Sequence, residues 1–224
     1  KVPLDEQKIL LNNNIISLQH IKNKIKAYSV DPNELLKNLE NKNEFPSNYE
    51  QMIALYRVGK YKSAHKKLSL IEKTHKEYPF FYELKGDIHF KKGDFNIAIK
   101  EYKKAIQTLQ GVFNPSTDLI KFSLIKTYLQ TNNSSNLNKS IILLEELLLN
   151  NPKWSYLWRL LSKASGKLNK KGMAYIALAE EAFIRKNFIK AKKYVDIANK
   201  QPDLPMSYKL RGSDILNKLK YKKK

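Results

Sequence analysis

Four histidines and a few paired carboxylates are the residues of this 224-residue chain that could do chemistry. Two metal-binding histidines on one helix face need i, i+4 spacing, and His20, His65, His75 and His89 offer no such pair. Glu145 with Glu146, and Glu180 with Glu181, are neighbours in sequence. On a helix such neighbours diverge to different sides, which is a poor geometry for a general acid–base couple. No glycine loop leads into a phosphate-binding lysine, no Gly-x-Ser-x-Gly elbow is present, and no nucleophile has a partner base. His89 falls at a packing position and is expected in the core, whereas His65 and His75 stand in lysine-rich stretches expected at the surface. The chain by itself reads as non-catalytic, with no metal site and no cofactor.

Net charge is +21, which invites a nucleic-acid or anionic-membrane reading. The kind of cation argues otherwise. Among 42 basic residues only Arg57, Arg159, Arg185 and Arg211 are arginine, and readers of phosphates and bases lean on arginine for bidentate contacts. Lysine, asparagine and isoleucine are enriched together, as in a compositional bias, so most lysines are expected on solvated faces. The absence of cysteine excludes disulfides and cysteine-ligated metals. No apolar run reaches the roughly 20 residues that span a bilayer, and no signal peptide is visible. The sequence opens at "KVPLDEQK" without methionine, so a fragment or a processed form is expected.

A repeat organises the chain. "LYRVGKYKSAHKKL" (55–68) overlays "IHFKKGDFNIAIKEY" (88–102), matching Gly59 to Gly93, Tyr61 to Phe95 and Ala64 to Ala98, each 34 residues apart. That is the tetratricopeptide period. Small residues at Gly86 and Ala98 let two helices approach closely. Gly59 and Gly93 supply the turn conformation that other residues adopt at a cost. Residues 119–152 give a looser hairpin whose turn, "TNNSSNLNK", reads about three residues longer than the tight version. Trp158, Leu161 and Ser162 begin a fourth unit, Phe188 and Ala191 mark a further one, and helix 171–186 serves two units. Residues 204–220 read as a capping helix.

At the front, Asp31, Pro32 and Glu34 spell a helix start, and Ser47 with Glu50 repeats the device. Residues 5–27 read as one helix with Leu10, Leu11, Ile15, Leu18, Ile21 and Ile25 on its apolar face. Nothing alternates with period two. The expected fold is all-α, a right-handed α-solenoid of tetratricopeptide helix pairs over residues 45–224, preceded by a helical linker over 1–44.

"YELKGDIHF" (82–90), "MAYIALAEEAF" (173–183) and "LRGSDIL" (210–216) go beyond generic repeat spelling. With "LQHIKNKIKAY" (18–28) they resemble the C-terminal half of bacterial M48-family zinc metallopeptidases, best from residue 50 onward. The family's His-Glu-x-x-His signature matches no position here, so no catalytic residue carries over. The resemblance implies a non-catalytic interaction domain of a periplasmic protease, with zinc in an absent protease domain. It implies substrates or outer-membrane assembly machinery as partners, together with the chain's own protease domain, in quality control of outer-membrane β-barrels.

In such superhelices the first helix of each pair lines the concave side. The register places Tyr49, Ile53, Tyr56 and Arg57 there, then Glu83, Asp87, Phe90 and Lys91. Phe122, Lys126 and Gln130 follow, and then Arg159, Lys163 and Lys167. Aromatics beside charges suit a groove for an extended peptide or a helix, and the basic later units would favour acidic segments or a carboxylate. Two alternatives stand beside this: ordinary solvated faces with Tyr56, Phe90 and Phe122 packing on neighbouring repeats, or a surface covered by the protease domain. A free-standing tetratricopeptide scaffold or co-chaperone is the alternative function, and an anionic binder drawn by charge is a third.

Overall fold

The structure, a computed structural model, describes residues 18, 21–42, 44, 46–74, 79–109 and 116–221. Every regular element among them is a helix. The chain divides into two compact units, Lys1–Thr108 and Leu109–Lys224.

The first unit holds α1 (residues 21–29), α2 (Pro32–Asn38), α3 (Ser47–Arg57), α4 (Tyr61–Thr74), α5 (Pro79–Lys92) and α6 (Phe95–Thr108). Asp31 caps α2 as its spelling predicts, accepting from the backbone N–H groups of Asn33 and Glu34 at 2.9 and 3.0 Å. Short turns join α3 to α4 and α5 to α6, reversing the chain into hairpins. Gly59 and Gly93 sit in those turns at φ 78° and 84°, where a Cβ would be strained. Ala64, Leu68, Ala98, Tyr102 and Ala105 form the seams of the two hairpins and are buried. At Gly86 the ring of Tyr102 lies so near that an added Cβ would meet it at 2.7 Å.

The second unit runs α7 (Ser116–Gln130), α8 (Ser134–Asn150), α9 (Ser155–Lys167), α10 (Lys171–Ile184), α11 (Phe188–Ala198) and α12 (Met206–Tyr221). One core joins them, with Ile125, Leu144, Leu161, Ile176 and Val195 fully or almost fully excluded from water. Each such side chain contributes about 1.5–3 kcal/mol on leaving water. Helix α10 packs against both α9 and α11, so it serves two hairpins as the sequence suggests. Helix α12 closes the stack: Tyr208 donates to Glu145 at 2.5 Å, and Arg211 pairs with Glu180 at 3.0 Å.

One turn geometry recurs in both units. Asn132, Asn169 and Lys186 occupy the left-handed region at φ 51°, 57° and 60°, in turns that correspond to those of Gly59 and Gly93. Across three of these turns an aromatic pair closes the seam: Tyr56 with Tyr61, Phe90 with Phe95, and Phe183 with Phe188, centroids 5.7 to 5.9 Å apart. Lysine is the poorest fit of the three non-glycine residues for this conformation. Lys186→Gly is expected to stabilise the second unit by about 0.5–1 kcal/mol, because relief of left-handed strain exceeds the added unfolded-state entropy. Urea titration followed by tryptophan fluorescence checks this, since Trp154 and Trp158 both lie in that unit.

Three local expectations are corrected. Helix α3 starts at Ser47 itself, with Pro46 in the cap position and no side-chain cap. Glu50 does not close a capping box there; it is taken by Lys26. The segment "TNNSSNLNK" is no longer a turn than the others: Asn133 caps α8 through the Asn136 N–H, and the helix begins at Ser134. The residues that looked like extra loop are helix. Finally, Leu18 and Ile25 of the expected apolar face are 55% and 59% exposed, whereas Asn23 and Ala27 are buried. Leu10, Leu11 and Ile15 lie outside the described residues.

Candidate functional site

In the first unit α1 lies in the crevice between α3 and α5. Lys24 and Tyr28 of α1 face Tyr49 and Ile53 of α3 and Phe80, Glu83, Leu84 and Asp87 of α5, leaving a gap too narrow for water. Lysines two apart on a helix point to opposite sides, and here each side meets a carboxylate. Lys24 reaches Glu83 on α5 at 2.5 Å, and Lys26 reaches Glu50 on α3 at 2.9 Å. The C-terminal carbonyls of α1 are held by Arg57, which donates to the oxygens of Ala27 and Val30 at 2.8 and 2.6 Å. A guanidinium at that end also complements the helix dipole.

The concave positions expected in this unit are therefore brought together, but under cover. Tyr49, Ile53 and Glu83 are buried, Tyr56, Arg57, Asp87 and Phe90 are half-buried, and Lys91 is exposed. Asp87 accepts from the Tyr102 hydroxyl at 2.6 Å. Burial, and after it the Asp87 carboxylate, pushes the phenols of Tyr28, Tyr56 and Tyr102 above the ordinary tyrosine range. All three stay neutral hydroxyls in neutral solution.

In the second unit side chains link α7 to α9 at two places. Phe122, midway along α7, stacks on Trp154, the residue before α9, with centroids 5.1 Å apart, and meets the edge of Tyr156 at 5.9 Å. Near their ends Lys167 donates to the Leu129 carbonyl at 2.9 Å and to Asn132. Between lie Lys126, whose ammonium sits 4.9 Å over the Phe122 ring, and Arg159. Glu181 binds both Arg159 and Arg185, at 2.6 and 3.0 Å. Gln130 and Lys163 are exposed beside them, and Leu119 and Tyr156 extend the face with 55% and 40% of their surface in water. Two arginines on one glutamate leave that corner positive.

No family model matches the chain, and no curated protein matches it either. Among solved structures it is similar to a chain of the TPR2AB-domain:pHSP90 complex of yeast Sti1, at 16% identity over 75% of this chain and 81% of that one, with a TM-score of 0.31. The tetratricopeptide assignment rests on the chain's own 34-residue register and on the hairpins, turns and seams described above.

Several residues of the covered crevice escaped sequence reasoning. Lys24 and Lys26 looked like solvated lysines, and Glu50 like a capping residue. The available signal was the small pair Asn23 and Ala27, four apart on one helix face. His89 is buried as expected, and its Nδ1 lies 3.1 Å from Asp94. His65 is half-buried rather than superficial, because its ring meets His89 edge-on at 5.6 Å. Burial, then the neighbouring His89, lowers its pKa. The adjacent glutamates do diverge: Glu145 serves Tyr208, Glu146 serves Lys121, Glu180 serves Arg211, and Glu181 serves Arg159 and Arg185. Among the described residues no three His, Asp or Glu side chains gather as metal ligands would, and no helix is long and apolar enough to cross a membrane.

Proposed function

We propose that this chain is a non-catalytic protein-binding repeat domain whose working face is formed by α7 and α9. The observation that carries this is the aromatic cluster of half-buried Phe122 and Trp154 with exposed Tyr156, set beside Lys126, Arg159 and Lys163. Rings supply apolar area for affinity, and the cations orient an acidic segment lying along the helices. Phe122 is the centre of the cluster. Phe122→Ala is expected to weaken binding by about 2 kcal/mol, roughly 30-fold, as for a buried aromatic hot spot. Binding of an unfolded outer-membrane β-barrel precursor, measured by anisotropy at moderate salt, checks this. Affinity unchanged by Phe122→Ala would overturn the assignment of this face.

The phrases "YELKGDIHF", "MAYIALAEEAF" and "LRGSDIL" support a more specific setting. In that setting the domain belongs to an M48-type zinc metallopeptidase of the Gram-negative periplasm and recruits substrates or assembly partners to it. The parent gene should then encode a secretion signal and His-Glu-x-x-His upstream of Lys1. Their absence would leave the binding face standing and favour a free-standing scaffold.

A further inference from the structure

We propose that the α3–α5 crevice of the first unit is a second protein-binding site, specific for a lysine-bearing amphipathic helix of a partner, and that α1 is its built-in competitor. This site differs in place and in sign of charge from the α7–α9 face and does not depend on it. The crevice gathers the carboxylates of Glu50, Glu83 and Asp87 in a chain whose net charge is +21. Beneath α1, Glu50 and Glu83 are 2% and 8% exposed, so a helix that covers them must bring a counter-charge to each. A cationic helix is the occupant that does this, and α1 supplies one with a lysine for each wall.

The way α1 is held suits exchange. Among the described residues of α1 only Asn23 and Ala27 are buried; Ile21 and Lys24 are half-buried, and Tyr28 and Ile25 keep 40% and 59% of their surface in water. Its described anchors are polar: the two ion pairs and the Arg57 clamp on the Ala27 and Val30 carbonyls. Helix α2 begins immediately afterwards with its own Asp31 cap, so it can stay folded when α1 leaves. A tethered occupant acts at a high effective concentration, so a free helix binds weakly until α1 is loosened.

The test uses the full chain and a labelled synthetic peptide of residues 18–30, "LQHIKNKIKAYSV". Lys24→Glu with Lys26→Glu sets α1 against Glu83 and Glu50 without altering the crevice. The doubly substituted chain is expected to bind the peptide at least ~10-fold more tightly than the parent chain does, by fluorescence anisotropy. Adding Glu83→Lys should abolish that binding and favour a peptide with glutamate at position 24. Hydrogen exchange should show α1 amides released while α3 and α5 remain protected. Three results would overturn the proposal: no gain in peptide binding, a gain indifferent to Glu83→Lys, or loss of protection in α3 and α5 together with α1. The last would make α1 part of the core.

Discussion

Trp158→Ala is expected to cost the second unit about 3–5 kcal/mol, the range for deleting a buried aromatic. Trp158 is 3% exposed in the first turn of α9. Its indole N–H donates to the Pro152 carbonyl at 2.9 Å, which ties the helix to the chain entering it. The Arg211 guanidinium lies 4.9 Å from its ring, so the same side chain also seats the capping helix α12. Leu148, Leu161 and Tyr208 border the ring, and helices anchored in different hairpins cannot all collapse into the space that alanine would leave. Trp158→Phe retains most of the area but leaves the Pro152 carbonyl unpaired, and about 1–2 kcal/mol is expected. Urea unfolding followed by hydrogen exchange should place both losses in α8, α9 and α12. A cost below about 1 kcal/mol for the alanine variant would contradict the packing described.

Gly86→Ala is the second large effect, and its sign runs against helix propensity. Inside α5, alanine would be favoured over glycine by about 1 kcal/mol in an isolated helix. Here the new Cβ would stand 2.7 Å from Cδ1 and Cε1 of Tyr102. The ring cannot retreat easily, being 2% exposed and pinned by its hydroxyl to Asp87 at 2.6 Å. Forcing α5 away from α6 is expected to cost about 1–3 kcal/mol net. Tyr102→Phe releases the pin, so the double variant should lose less than the sum of the two single changes. Far-UV circular dichroism with hydrogen exchange on α5 and α6 measures this, because the first unit has no tryptophan. Additive losses would show that the hydroxyl does not fix the ring. The same shift would move Glu83 and Asp87, so the α3–α5 crevice should lose affinity for α1 along with the seam.

Much of this architecture was legible in the sequence because the repeat is a packing rule written in residue size. Gly59, Gly93 and the small residues at 86, 98 and 105 occupy positions where only small or left-handed residues fit. Their spacing therefore fixed hairpin, turn and seam together. Local preference was a poorer guide where tertiary contacts outweighed it. The run "SSNLNK" reads as loop by propensity, yet it forms the start of α8 because Leu137, Ser140 and Ile141 are buried against the core. Likewise α1 buries Asn23 and Ala27 rather than Ile25, since a crevice lined by carboxylates selects lysines to either side and a small face between them.

The sequence by itself determined that the chain is helical, where its hairpins turn and which residues form their seams. These features depend on neighbours a few residues apart or one repeat away. The tertiary structure alone decided which lysines matter and which candidate faces are open. Lys24 differs from its many counterparts only through Glu83, 59 residues distant, and Arg159 only through Glu181. A charge has no role until folding brings its counter-charge within a few ångströms and removes the water between them.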